Sequence, residues 1–442
     1  MNIWNHESCV AFDKIGRRAS PVANASLRVP SRRATHLQAP TAERIEAALA
    51  TLRRALQPDA AHPPVRASTL TLLVLVSGDA AAARAAVAHL AATHPSRTIV
   101  ITAPLAQPAV PHGASVPALA GTEAPSRQGE LAALAETPPE HPEPKEEERA
   151  SRQGELAALV ETAAVPDGGA GRVLHEVITL EAHSPAALPL VAGLVPALIL
   201  GELPAYTWAA DAGALDALCA GQCRWLIEAS DGLLVESSPP AGGDAPGRDR
   251  LQRLLALIDR LAGQVALADL TWVRLEPWRE AVAQCFDPPA CRGWAFMVTE
   301  VEVLFERAAS AGVTPDPPAG ALLLGGWLQA RLPSHPPVSY RAVPGGGRAA
   351  GDVAGVRLQA RGPNGQAHFT VERQRDRASA AIRLALPGRP EVSRLVRLPL
   401  HDRAELLGLL LQRTHADPFY QEALEASLGR VSSGAAQSIP RS

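Results

Sequence analysis

Lysine is almost missing from this chain: Lys14 and Lys145 are the only two among 42 basic residues. Both lie in stretches without periodicity, so Schiff-base chemistry, a lysine general base and a phosphate-loop lysine are excluded together. Aromatic residues are also scarce, at 4%. The five cysteines (Cys9, Cys219, Cys223, Cys285, Cys291) are too few and too irregular for a secreted disulfide framework. Long apolar runs are lacking too. The longest, AALPLVAGLVPALIL at 186–200, has 15 residues with two prolines, short of the ~20 that a spanning helix needs. It reads as a buried core helix. The first residues show no apolar core of a signal peptide. Together these absences predict a cytoplasmic protein without a membrane segment.

Catalytic signatures are equally sparse. No glycine-rich G-x-G-x-x-G joins a strand to a helix, and no HExxH, GxSxG, paired CxxC or calcium-loop pattern occurs. GGGRAAG at 345–351 sits between short alternating runs and reads as turn glycine. Nothing groups His, Cys and carboxylates at metal spacing. The expectation is therefore no metal, no cofactor and no catalytic constellation. The remaining composition, 47% hydrophobic and 20% charged with net charge −3, is that of an ordinary globular chain.

What is present is an α/β rhythm. Residues 1–37 carry scattered basic side chains without periodicity and read as a disordered arm, with order beginning near Pro40. TAERIEAALATLRRAL then reads as a capped helix. TLTLLVLVSGD, AAAARAAVAHLAATHP and SRTIVITA follow as buried strand, helix and strand, a βαβ unit. The insert at 104–168 breaks this pattern with ten glutamates against one lysine and three arginines. Within it SRQGELAALAET (126–137) recurs as SRQGELAALVET (151–162); each copy reads as a short transient helix in a duplicated surface loop. The rhythm resumes with GRVLHEVITLEA and LPAYTWAA as strands, DALCAGQC as a helix, CRWLIEAS and DGLLVESS as strands, and an amphipathic helix over 248–267.

Beyond Cys291, VTEVEVLFERAA and AGALLLGGWLQARL read as helices. Five alternating runs (VSYRAV, VAGVRLQAR, AHFTVERQR, SAAIRLAL, SRLVRLPL) follow, the pattern of an antiparallel sheet with one wet face. Two helices close the chain. Residues 338–415 hold thirteen arginines against six acids, so the wet face is expected to be basic. Too few aromatics accompany it for base stacking, which argues against nucleic acid. The predicted architecture is a mostly parallel α/β domain (38–290, with its insert), then a smaller α+β domain with an antiparallel sheet (291–432) and a disordered tail (433–442).

Two constellations stand out. Cys219 and Cys223, four apart across a helix end, are either a redox pair or two small residues at a packed corner. DLTWVRLEPWRE (269–280) packs two of seven tryptophans beside two arginines. Alternation reads as a strand through Leu275, with a helix starting at Pro277 and continuing through Trp278, Val282 and Phe286. Arg274 and Arg279 then sit at a strand-to-helix junction, where α/β sheets bind anions. The plain alternative is core tryptophans, with both arginines paired to Glu276 and Glu280.

DLTWVRLEPWRE also resembles a segment of the glucose-6-phosphate dehydrogenase assembly protein family, OpcA. ATHPSRTIVI, the stretch from LILGELPAYTWAA to GLLVESS, LLLGGWLQARL and DPFYQEALEASL resemble further family segments in the same order. The resemblance implies a non-catalytic, cytoplasmic partner of glucose-6-phosphate dehydrogenase that promotes its assembly or activity. On that basis Arg97, Arg274 and Arg279 are candidate partner contacts, with Trp272 and Trp278 as anchors. The rival expectation is an enzyme or sensor holding a sugar phosphate or nucleotide at the same junction.

Overall fold

The computed structural model describes residues 31–56, 68–91, 93–105, 155–166, 172–238, 247–261, 263–307, 316–344, 351–375, 378–413 and 417–430. Its organising strand is LTLLVLV (β2, Leu70–Val76), buried at every position. Such a run requires neighbours on both edges and cover on both faces, the environment of a central parallel strand. Around it β1 (Ser31–Gln38), β3 (Ser96–Thr102), β4 (Leu156–Pro166), β5 (Arg172–Ala182), β6 (Ala205–Ala209), β7 (Gly232–Val235) and β8 (Ala266–Asp269) form one sheet in the order β1-β4-β5-β3-β2-β6-β7-β8. From β5 to β8 every pairing is parallel, while β4 and β1 are added antiparallel at one edge. Chain order runs outward from β2 through β3 to β5, then crosses back to β6 on the other side of β2. The topological switch point of the sheet is therefore between β2 and β6.

The helices are α1 (Ala42–Ala55), α2 (Ala81–Leu90), α3 (Leu188–Leu198), α4 (Ala212–Cys219), α5 (Arg224–Glu228), α6 (Gly247–Leu261), α7 (Leu270–Arg274), α8 (Glu276–Ala283), α9 (Pro289–Arg292), α10 (Ala319–Arg331), α11 (Arg403–Leu411) and α12 (Pro418–Ser427). On α6 the expected stripe is seen: Leu251, Leu254, Leu255 and Leu261 are buried with Leu257. Each such leucine contributes about 1.5–3 kcal/mol of burial free energy. A second sheet contains β9 (Val298–Glu306), β10 (Val338–Val343), β11 (Val353–Gly362), β12 (Gly365–Arg373), β13 (Ser379–Ala385) and β14 (Val392–Arg397), in the order β10-β9-β11-β12-β13-β14. Only β9 and β10 are parallel in it. A mostly parallel α/β sheet followed by a mostly antiparallel one is the architecture expected from the sequence.

The two sheets share one continuous hydrophobic cluster, which runs from Leu73 and Ile99 to Val356 and Phe369. Phe286 meets Phe369 with ring centroids 5.0 Å apart across this seam. The closing helices return to the first sheet: Leu406, Leu407 and Leu410 of α11 pack with Leu72, Val74 and Val87. Helix α12 lies tightly on α10, where a Cβ on Gly326 would meet the Ala423 carbonyl oxygen at 2.1 Å. Strand β8 ends at Asp269 and β9 begins at Val298, and one core joins the two sheets.

Several local expectations are corrected. The basic arm ends earlier than expected, because SRRATHLQ is strand β1, paired with β4 along its whole length. Residues 1–30 and 431–442 lie outside the described residues, as do 106–154 of the insert with the first repeat copy. The second copy supplies strand β4 instead of a transient helix, because LAALVETAAVP finds eleven partners on β5. VTEVEVLFE is strand β9; Val301, Val303, Leu304 and Phe305 are buried, and pairing with β10 and β11 on its two sides overrides helix propensity. RWLIE is helix α5 rather than a strand. Helix α3 is a surface helix in which only Val191, Val195 and Leu198 form the buried stripe, and Leu190 is exposed.

The wet face of the second sheet is also less basic than its composition implies. Arg341 contacts Glu302 at 2.8 Å and Arg357 contacts Glu302 at 3.5 Å. Glu372 in turn takes Arg357 at 2.8 Å and Arg383 at 3.3 Å. The five side chains form an alternating ladder across β10, β9, β11, β12 and β13.

Candidate functional site

DLTWVRLEPWRE leaves the sheet sooner than its alternation indicates. Strand β8 ends at Asp269, whose carboxylate caps α7 by accepting the Thr271 backbone N–H at 2.8 Å. With that cap in place Leu270–Arg274 close a helical turn, and α8 follows with Pro277 in its first turn. The strand-to-helix junction therefore exists, at Asp269 and Leu270 rather than at Pro277.

Asp269 organises this junction. It is buried and also accepts the Ser237 N–H at 3.1 Å and the Tyr420 hydroxyl at 3.0 Å. Burial pushes its carboxyl above the usual carboxylate range, against the downward pull of these donors. Trp272, also buried, donates its indole N–H to Asp417 at 2.7 Å and meets Tyr420 edge-on at 5.7 Å. Arg279 lies with its guanidinium carbon 3.6 Å from the Trp272 ring centroid and donates to the Trp272 carbonyl at 2.7 Å. Burial pulls its pKa down to about 10, which still leaves it cationic at neutral pH. Trp278 is buried under the Arg373 guanidinium, 5.2 Å from its centroid, and so ties α8 to β12.

Arg274 donates to the Ser238 carbonyl at 2.9 Å and pairs with Glu236, whose other oxygen is 2.8 Å from Arg403 of α11. The pairing expected with Glu276 and Glu280 is not the one formed: Glu276 holds Arg413 at 2.6 Å. Four of the five candidate residues thus sit together, joining the last parallel strand to α11 and α12. The fifth, Arg97, lies at the amino end of β3, at the opposite end of the sheet. It is buried, donating to Glu176 at 3.0 Å and to the Leu198 carbonyl at 3.0 Å, with Glu46 as a further partner. Arg53 holds the second oxygen of Glu176 at 2.5 Å. This network is buried at Arg97 and Glu176 and reaches the surface at Glu46, and both tryptophans and Arg97 are turned inward.

The thiols are placed as packing groups. Cys219 is half-buried with its Sγ 3.8 Å from the Arg253 carbonyl, and Cys223 is buried. Burial raises both pKa values to about 11, and that of Cys285 to about 12, so the thiolate required for redox exchange is disfavoured at neutral pH.

The residues that sequence reasoning passed over lie at the switch point. A crevice of about 350 Å³ opens there, lined by Ser77, Asp79, Ala83, Asp211, Gly213 and Arg403. In dinucleotide-binding folds the pyrophosphate takes the helix N-terminus in this crevice. Here the chain's own carboxylates take that place. Asp79 accepts the Ala81 N–H at 2.9 Å at the start of α2. Asp211 caps α4 at Ala214 N, 2.7 Å, and accepts both the Ser77 N–H and hydroxyl at 2.8 Å. Loop and helix are so close that a Cβ on Gly213 would lie 2.2 Å from Ser77 Oγ. Two fixed negative charges at both helix starts oppose a phosphate. The SGD turn after β2 was the visible signal.

Among the described residues no group of His, Cys and carboxylates is arranged to hold a metal, and no helix is long and apolar enough to cross a membrane. Residues 265–424 match the family described as the C-terminal domain of the glucose-6-phosphate dehydrogenase subunit. A Synechocystis protein named putative OxPP cycle protein OpcA is 33% identical over 170 residues, covering 38% of this chain and 32% of that relative. Its namesake from Synechococcus elongatus is 26% identical over 286 residues, covering 58% and 59%. The chain therefore spans about a third of the first relative's length and under two thirds of the second's. A levoglucosan dehydrogenase structure, in complex with NADH and L-sorbose, aligns with a TM-score of 0.35 at 12% identity over 82% of this chain and 96% of that one.

Proposed function

We propose, from the match of residues 265–424 and the likeness to proteins named OpcA, that the chain is a non-catalytic accessory protein of the oxidative pentose phosphate pathway. It binds glucose-6-phosphate dehydrogenase and shifts that enzyme toward its assembled, active state. Such a shift requires only that the chain bind the active state more tightly than the inactive one; a tenfold preference corresponds to about 1.4 kcal/mol. No substrate need enter the accessory chain.

The observation that supports the reading is the switch-point crevice. Asp79 and Asp211 occupy the two helix starts where a nucleotide phosphate would bind, so the fold retains the architecture of a dinucleotide site without its anion seat. The same feature weighs against a sugar-phosphate or nucleotide enzyme acting there. Trp272, Arg274, Trp278 and Arg279 serve the accessory role indirectly, by fixing α8 and the closing helices on the sheet. The test is calorimetric titration of the purified chain with NADP and with glucose 6-phosphate, beside titration with the dehydrogenase. Heat from the dehydrogenase alone is expected. Saturable binding of either small molecule to this chain alone would overturn the non-catalytic reading.

A further inference from the structure

The charge ladder of the second sheet stops at Arg383, one strand short of the edge. Strand β14 is that edge: it pairs with β13 on one side and has no neighbouring strand on the other among the described residues. Its register sets Ser393 opposite Arg383 and Leu395 opposite Ala381. Leu395 is 70% exposed, Val392 55% and the nearby Leu400 57%, three of the five large hydrophobic residues exposed among those described. An outer strand carrying bare leucine and valine is an unprotected pairing edge, the kind that partner strands use.

Behind this edge runs a groove of about 520 Å³ between α8 and β14, lined by Pro277, Glu280, Gln284, Val396, Arg397 and Pro399. The link between its walls is direct: Arg394 donates to the Gln284 carbonyl at 2.7 Å. The α8 wall is the end of DLTWVRLEPWRE, held from below by buried Trp278. The segment that labels the family therefore shapes a surface without exposing its tryptophans.

Charge selects the occupant. Residues 389–397 carry Arg389, Arg394 and Arg397 against Glu391. Pairing of β14 with a second copy of itself would gather four strand arginines into one ribbon, and like charges facing each other across strands are destabilising. An added strand bearing carboxylates would instead extend the alternation already built by Glu302 and Glu372.

We propose that the free edge of β14, with the groove against α8, docks an extended strand of the partner that carries both apolar and acidic residues. This deepens the reading above, since the partner is taken to be the dehydrogenase. The strand would pair its backbone with β14; on the face shared by Leu395 and Arg397 it would set an apolar residue against the one and a carboxylate against the other, and on the opposite face an apolar residue against Val392.

The experiment compares dehydrogenase binding by the full chain, by the double variant Leu395→Asp/Arg397→Glu, and by Leu190→Asp on exposed α3, each checked for an unchanged melting curve. Backbone hydrogen exchange is followed in the complex. The double variant is expected to weaken binding by at least about tenfold, as losing an apolar anchor and a charge partner together would. Leu190→Asp should bind like the parent chain, and the amides of Val392–Arg397 should gain protection. If the parent binds and the double variant binds equally well, or the β14 amides stay unprotected, the docking surface is wrong and the accessory reading stands. If the parent does not bind the dehydrogenase, both fall.

Discussion

Replacing Trp272 by Phe isolates what the DLTWVRLEPWRE segment contributes. The ring volume is largely kept, but the indole N–H that reaches Asp417 at 2.7 Å is lost. A hydrogen bond to a charged acceptor contributes about 1.5–3 kcal/mol. Asp417 retains the Phe419 N–H at 2.9 Å, so its carboxylate is not left bare and the lower half of that range applies. Arg279, 3.6 Å from the Trp272 centroid, loses part of a cation–π contact of about 0.5–2 kcal/mol, because phenylalanine is the weaker partner. The sum is about 2–3 kcal/mol. Urea unfolding followed by circular dichroism should show a lower midpoint at unchanged slope. In a cycle with Asp417→Asn, the coupling energy should exceed about 0.5 kcal/mol. At a temperature where both proteins are folded, Trp272→Phe should bind the dehydrogenase like the parent, since the ring is internal. Additive, near-neutral effects on stability together with a marked loss of binding would refute this, and would make Trp272 a contact residue instead of an anchor.

Three further outcomes follow from the same physics. Arg97→Met strands buried Glu176 with Arg53 as its main cation and should cost about 3–5 kcal/mol, whereas Arg97→Met/Glu176→Leu should recover part of that in thermal melts. Burial holds the His175 pKa at about 4 against an ordinary 6.5. The native state stays neutral while the unfolded chain takes up a proton below pH 6.5, so this stabilisation is present above 6.5 and is lost as pH falls toward 4. The parent should therefore lose about 2 kcal/mol more than His175→Asn between pH 7 and pH 5 in urea titrations; identical pH profiles would remove His175 from the account. Cys219, Cys223 and Cys285, with pKa values raised to about 11, 11 and 12, should react with Ellman's reagent at pH 8 orders of magnitude more slowly in the native protein than in urea; rapid native labelling at Cys219 or Cys223 would restore a redox role.

Strands β2 and β3 and the four strands from β11 to β14 were legible because their patterns are extreme: unbroken apolar runs for the former, clean alternation between turn residues for the latter. Strand β4 was not, since LAALVETAAVP has helix-compatible composition and becomes a strand only through its antiparallel partners on β5 and β1. VTEVEVLFE failed for a related reason: its glutamates favour a helix, while β11 and β10 on its two sides supply the sheet. The candidate site was legible as a location and not as a geometry. Trp272, Arg274, Trp278 and Arg279 do cluster at a strand-to-helix junction, but Asp417, Tyr420, Arg403 and Glu236 complete it from far along the chain. Arg97 showed no sign of its distance from that cluster, because residue identity alone does not tell the amino end of a parallel strand from the carboxyl end of another.

Steady-state kinetics of glucose-6-phosphate dehydrogenase with and without this chain, with the enzyme's molar mass followed by light scattering in the same samples, tests the accessory role most directly. Added chain should raise the enzyme's activity or its affinity for glucose 6-phosphate, with a larger particle that contains both proteins. Unchanged kinetics and an unchanged mass at saturating concentrations of the chain would contradict the proposed function.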